Sequence, residues 1–438
     1  MSASPDRRTI GQNGVELAKF DYEGQDAGYR SYEIYQRERV GQSTERINGL
    51  DLASVDYARD PYPALSILRE NYPCYRDWIN NCYWITRYDD VTSLFMDDAN
   101  FESRSKLWRY GLQGYGRDLG GDLHVWSAWT DAMDAQAAPV AERLVGGLDR
   151  RNADLATQFA VPFPIHLLAA ALELPEADID AFALHYWEAQ QGAGWNATAR
   201  MAGERALRKL SAYFEPLLKA RSRGEGEDLI SAIARVGGSG NDLAVTLLEA
   251  DHETLHGSIA NLWMRLLTHP DAFATLKHDH RLIKIAYLEA QRHSPPVLIA
   301  ERYARHEVER FGQLLPRGSQ MRLSALAANR DPRLFRDADD FVADRRDLCH
   351  REARGQYRAD GLPTAISFGL GPPSRHPAIP EDRPRSRHAL TRDVAVLASE
   401  ILIAHAPEIR LAKGAEPTLR SLQIGDIYTC WALPVQLD

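Results

Sequence analysis

The stretch HETLH, residues 252–256, sets two histidines one helical turn apart around an acid and a hydroxyl. On a helix His252 and His256 share a face, as two metal ligands would, and Glu253 is placed to polarise a water. No third ligand follows at a familiar spacing. A second chemistry uses the same residues differently: Glu253 beside Thr254 can relay protons from water into a closed cavity. At about 100° per residue, Thr254 lies roughly 200° around the helix from His256, so the two chemistries do not naturally share one cavity. Each has a plainer alternative. The histidines can be packed or surface residues, Thr254 can bond back to its own helix, and Glu253 can reach solvent. Further on, Glu289 and Arg292 in LEAQR stand three apart on one helical face. A solvated helix pair would satisfy that spacing. Apolar neighbours and the immediate Pro295–Pro296 stop favour a buried pair that locks the helix against the following loop.

These residues need elements to hold them. DLAVTLLEADHETLHGSIANLWMRLLTHP is about thirty residues long, carries apolar residues along its whole length, and ends at Pro270. It reads as one central helix, rising roughly 1.5 Å per residue across the domain. HRLIKIAYLEAQRHSPPV is a second helix. YARHEVERFGQLLPRGSQMRLSALAANRDP holds short strands between glycine- and proline-bearing turns. DPYPALSILREN begins a helix, CYWITRYDDVTSLFMD passes from strand alternation to a helical period, and PEAD restarts a helix after Pro175. TRDVAVLASEILIAHAP is the last long helix, ahead of strand fragments through QIGDIYTCWALPVQ. Many helices with few strands and no linker-like stretch predict one large domain over residues 51–438, preceded by an arm over residues 1–50.

Composition narrows the partners. A net charge of −9 argues against nucleic acid and anionic membrane surfaces, while leaving room for a local basic patch facing an acidic protein. No run of roughly 18 apolar residues predicts a membrane span, and MSASPDRRTIGQNG carries no apolar targeting core. Four cysteines, Cys74, Cys82, Cys349 and Cys430, make no dense disulfide scaffold, which favours a cytoplasmic location. Cys74 and Cys82 are spaced closely enough to pair, and two buried thiols are the plainer reading.

Taken in order, several segments resemble the cytochrome P450 family. DPYPALSILREN and YWITRYDDVTSLFMDDANFESR are similar to its amino-terminal entry, ADHETLH to its oxygen-side helix and EAQR to its Glu-x-x-Arg. ANRDP resembles the segment after the small sheet, DDFVADR its partner loop, and SFGLG the start of the loop that carries the iron-binding cysteine. EAQR alone is a weak signal; the ordered series, running through most of residues 55–420, is specific. The resemblance implies a mainly α fold with minor β-sheets, the triangular P450 fold, and haem as cofactor. It places Glu253 and Thr254, with Asp251 beside them, at the proton-delivery and oxygen-activation face. Glu289 and Arg292 become a structural pair with Arg345 as third member. His124 and Arg302 match positions that hold haem propionates, and Phe368 and Gly371 belong to the ligand loop beneath the ring.

The departures from that pattern bear on function. After Phe368–Gly369–Leu370–Gly371 come Pro372, Pro373 and Ser374, and Arg375 stands where the thiolate belongs. Counting back from the final helix puts Arg385 there instead, because the stretch is about ten residues too long. Arginine stays protonated and cannot donate electron density to iron as a thiolate does. His376 is the nearest substitute metal ligand, His388 follows later, and Cys349 lies upstream. Asp251 replaces a glycine beside the oxygen pocket, and Ala128 stands where a propionate-binding arginine is common. These changes imply altered or absent haem binding.

Three functions follow as expectations. The first is an atypical haem oxidoreductase acting on a small apolar molecule, with a ferredoxin or reductase as electron donor. It is preferred because the oxygen-side positions survive. The second is a catalytically silent P450-like helper or ligand-binding protein for a biosynthetic enzyme. The third is metal-assisted hydrolysis through HETLH.

Overall fold

Short polar side chains start the helices that frame the centre of the molecule. Asp122 accepts hydrogen bonds from the backbone N–H groups of His124 and Val125, and Ser386 from that of Ala389. Ser239 and Asp242 form a reciprocal capping box. Such caps satisfy N–H groups that the first turn leaves open and contribute about 1 kcal/mol each. The computed structural model describes residues 9–10, 15–16, 47–194, 197–222, 226–250, 252–349, 362–366, 385–422 and 427–437.

The helices used below are α1 (Tyr62–Asn71), α2 (Leu123–Gly146), α3 (Ile179–Gly192), α4 (Ala197–Arg221) and α5 (Gly240–Leu248). They continue as α6 (His252–Thr268), α7 (Ile283–His293) and α8 (Arg387–His405). A five-stranded sheet is built from β1 (Tyr75–Asp77), β2 (Cys82–Ile85), β3 (Phe101–Glu102), β4 (Ile299–Ala304) and β5 (Gln320–Ser324). Its order is β1-β2-β5-β4-β3, with β2 and β5 parallel and the other pairs antiparallel. A hairpin of β6 (Thr418–Leu422) and β7 (Ile427–Ala432) packs against α6.

The buried Asp77 closes the β1–β2 turn. Its carboxylate accepts from Ile79 N at 3.0 Å, Asn80 N at 2.9 Å and Trp84 Nε1 at 3.1 Å. Asn81, in the same turn, adopts φ 53°, which asparagine tolerates better than most residues. α6 carries the core: Ile259, Leu262, Trp263 and Leu266 are fully buried, and the helix packs on α7 and α8. Trp263 donates from Nε1 to Ser399 Oγ on α8 at 3.1 Å. Ile47 and Leu50 are buried too, and Ile47 packs with Leu65 and Trp84, so packing of the main body begins before the boundary drawn at residue 51.

The structure corrects the expectation of one continuous central helix. α5 ends at Leu248 and α6 begins at His252. The interruption is held from outside: Leu107 N donates to the Glu249 carboxylate at 3.2 Å, and the Arg387 guanidinium donates to the Glu249 carbonyl. The second of these bonds occupies a carbonyl that a continuing helix would use for itself. All four cysteines are buried and unpaired, so Cys74 and Cys82 form no disulfide. Among the described residues no helix is long and apolar enough to cross a membrane.

Candidate functional site

Glu289, on the last turns of α7, lies at the centre of a buried knot. Arg292 donates to it from Nε at 2.7 Å and Nη2 at 2.8 Å, and Arg345 Nε stands 2.9 Å from Oε2. Val342 N adds a bond to Oε1 at 2.9 Å. The remaining donors of Arg292 reach the carbonyls of Asn329, Ala338 and Asp340 at 2.9, 2.6 and 2.8 Å. Glu289 and Arg292 are both fully buried. Near-complete hydrogen bonding is what lets these charges leave water. The knot ties α7 to the loop carrying Arg345, with every contact given above made to a backbone group or an opposite charge.

The resemblance implies that a haem would lie between α5–α6 above and the segment leading into α8 below. Side chains span that space. Arg387, the first residue of α8, donates from Nη1 to the Glu249 carbonyl at the α5–α6 break. Its Nη2 meets Asp118 at 3.1 and 3.3 Å. Gly120 closes against it: a Cβ there would sit 2.0 Å from Arg387 Nη2, so a larger residue would push this guanidinium aside. Arg385, two residues earlier, pairs with Asp134 on α2 and with Asp393 on α8 at 3.3 Å. The hydrogen bond to Asp134 raises its pKa further, fixing its positive charge. Its carbonyl accepts from Trp126 Nε1 of α2. What remains between α2, α6 and α8 is a cavity of about 50 Å³ lined by Trp126, Trp129, Met133, Leu255, Leu390 and Val394. A few waters fill such a space, whereas small-molecule and cofactor sites usually offer roughly 300–1,000 Å³. Among the described residues, the lining of this space does not fit a haem.

The other sequence candidates fall in separate places. Thr254 is buried near the start of α6, and its carbonyl accepts from Ser258 Oγ; Leu255, its neighbour, lines the cavity. His256 is fully buried, with its ring centroid 5.0 Å from that of Trp431 and 6.3 Å from that of Trp187. Burial pushes its pKa down to about 3. Among the described residues no group of three or more His, Cys, Asp or Glu side chains is placed to hold a metal ion. His124 is exposed in the first turn of α2, and Arg302 sits on β4 with its guanidinium 4.8 Å above the Phe95 ring. Neither lines the cavity. Burial lowers the Arg302 pKa, and Nη1 donates to the Glu301 carbonyl at 3.1 Å. Asp251, Phe368, Gly371, Arg375 and His376 lie outside the described residues, as do the side chains of His252 and Glu253.

Asp118, Gly120, Trp126, Asp134 and Arg387 were not singled out in the sequence. The available signals were the paired glycines of DLGGDLH and the arginines on either side of the Ser386 cap. Neither signal specifies its partner.

No family model matches the chain. Over 356 residues it is 26% identical to the putative cytochrome P450 133B1 of Xylella fastidiosa, covering 73% of this chain and 87% of that one. Over 351 residues it is 27% identical to the cyclomarin C epoxidase CymV of Salinispora arenicola, covering 73% and 86%. Protein AknT of Streptomyces galilaeus is 37% identical over 171 residues, 37% of each chain. Among solved structures, ligand-free cytochrome P450 TbtJ1 superposes with a TM-score of 0.71 at 22% identity, over 87% of this chain and 98% of that one. The architecture is therefore the mainly α, triangular P450 fold with its minor sheets. By sequence homology and by fold, the chain is a homologue of the cytochrome P450 superfamily.

Proposed function

We propose that this chain is a catalytically silent P450-fold helper subunit for a biosynthetic enzyme. Homology links it to P450-family oxidoreductases acting on small molecules, CymV being named an epoxidase. The observation that carries the proposal is the Arg387 bridge. One guanidinium joins α8 to the α5–α6 break and to Asp118, across the space a haem would need. Arg385, in register with the ligand position when counted back from α8, is engaged by two carboxylates and has no lone pair to offer a metal. No cofactor-centred step is assigned. On this reading the chain acts through the surfaces its fold presents, and its partner performs the chemistry.

An absorption titration of the purified protein with haem, under oxidising and reducing conditions, tests the first half. Free-haem spectra throughout are the expected result. A saturable shift to a ligated-haem spectrum, lost in His376→Ala, would instead establish the atypical haem oxidoreductase. Co-expression with biosynthetic enzymes of the same host tests the second half. Co-purification with one of them, and activity of that enzyme only when this chain is present, is expected. Full activity of each such enzyme alone would remove the helper role.

A further inference from the structure

Away from the Arg387 bridge, a cleft of about 840 Å³ opens between the start of α1, the carboxy-terminal ends of α6 and α7, and the β6–β7 hairpin. Two guanidinium groups reach into it. Arg330 is 9% exposed; its Nε and Nη2 donate to the His293 carbonyl at 3.0 and 2.5 Å, and the Tyr62 ring lies 4.2 Å away. Arg265, half-buried at the end of α6, donates from Nε to Ser294 Oγ at 2.7 Å.

The contrast with other interior arginines is chemical. Arg292 and Arg345 meet Glu289, and Arg109 and Arg322 meet Glu301. Among the described residues neither Arg265 nor Arg330 forms an ion pair, and both Nη atoms of Arg265, with Nη1 of Arg330, make no hydrogen bond. Burial lowers the pKa of both, that of Arg330 to about 10, so each remains a cation at neutral pH. The neighbouring His293 adds no charge, because burial and then Arg330 and Arg265 depress its pKa. The acids of the cleft, Asp60, Asp339 and Asp340, are exposed at its rim, and Asp339 already accepts from the Tyr62 hydroxyl. Buried charge without a partner is unfavourable, and a guanidinium fork matches the two oxygens of a carboxylate or phosphate.

We propose that this cleft binds a small polar molecule through its oxyanion, phosphate or carboxylate, held between Arg265 and Arg330. The Asp60 and Asp339 carboxylates at the mouth would take hydrogen bonds from hydroxyl or amino groups on the rest of the ligand. The site is independent of the helper reading, and either can fail without the other.

The test is calorimetric titration of the full chain with inorganic phosphate and, separately, acetate, at constant ionic strength set by chloride. Saturable binding of one or both is expected; which anion binds more tightly identifies the head group. Arg265→Gln should weaken that binding tenfold or more, with Arg265→Lys recovering part of it. Thermal melts keep the result distinct from misfolding. Arg265→Gln should melt no lower than wild type without anion, since it removes an unpaired cation, and should lose the anion-induced rise. Absence of saturable binding to wild type, or equal binding by Arg265→Gln, would overturn the proposal.

Discussion

Arginine is used in opposite ways at the end of α7 and at the start of α8. Around Glu289, Arg292 and Arg345 are sealed from water, with donors matched to one carboxylate and a ring of backbone carbonyls. At the start of α8, Arg385 and Arg387 are about a third exposed, and their acid partners, Asp118, Asp134 and Asp393, are about a third to a half exposed. The first arrangement is costly to disturb because every charge in it depends on the others. The second is a set of adjustable struts closing a gap. On the helper reading proposed above, the knot maintains the fold while the struts cross the space a haem would need, and the two roles are separable on this scaffold.

Glu289→Ala puts the contrast under the greatest load. It leaves two buried guanidiniums facing each other, and loss of one partner of a buried ion pair costs roughly 3–5 kcal/mol. Urea denaturation should show a loss in that range, or failure to accumulate folded protein. A loss below about 1 kcal/mol would mean that the knot is no more demanding than the struts.

A second prediction concerns the buried imidazole of His256. The His256 pKa is pushed to about 3 by desolvation, against about 6.5 in an unfolded chain. Above about pH 6.5 the imidazole is neutral in both states and its contribution is fully present. As pH falls from there towards about 3, the unfolded chain takes up a proton that the folded chain refuses. Stability is then lost at up to about 1.4 kcal/mol per pH unit. His166, lowered to about 4 chiefly by burial, acts in the same direction over a narrower window. Denaturation midpoints measured from about pH 7 to pH 4.5 should fall less steeply in His256→Leu than in wild type. Parallel curves would rule out His256 as a source of the acid sensitivity.

What the sequence made legible follows from separation along the chain. EAQR encodes its pair locally, within one turn, and ANRDP and DDFVADR are close enough in sequence to suggest the loops that receive it. The short strands between Ile299 and Ser324 were readable for the same reason, their turns being written in glycine and proline. The end of α5 at Leu248 was not readable. Its local pattern is that of an uninterrupted apolar helix, and the group that holds it open, Arg387, is 138 residues away. Counting back from α8 singles out Arg385 as one of two positions where the ligand is expected, yet its pairing with Asp134 comes from 251 residues upstream. HETLH shows the converse failure: its spacing suits two ligands, while the fold packs His256 against Trp187 and Trp431 instead.

The smallest expected effect separates the two arginine systems most directly. Arg387→Ala removes an ion pair whose side chains are 38% and 36% exposed, and exposed pairs contribute about 0–1 kcal/mol. The bond to the Glu249 carbonyl adds a net contribution of roughly 0.5–1.5 kcal/mol, and water can replace part of it at this half-open position. A total loss of about 1 kcal/mol is expected, well short of that from Glu289→Ala. Its location should be sharper than its size. Hydrogen exchange ought to accelerate at the end of α5 and the start of α6, where the strut is removed, and stay unchanged across residues 286–292 of α7. If exchange rises equally in both places, the start of α8 is part of the same cooperative core as the knot, and the two uses of arginine are one.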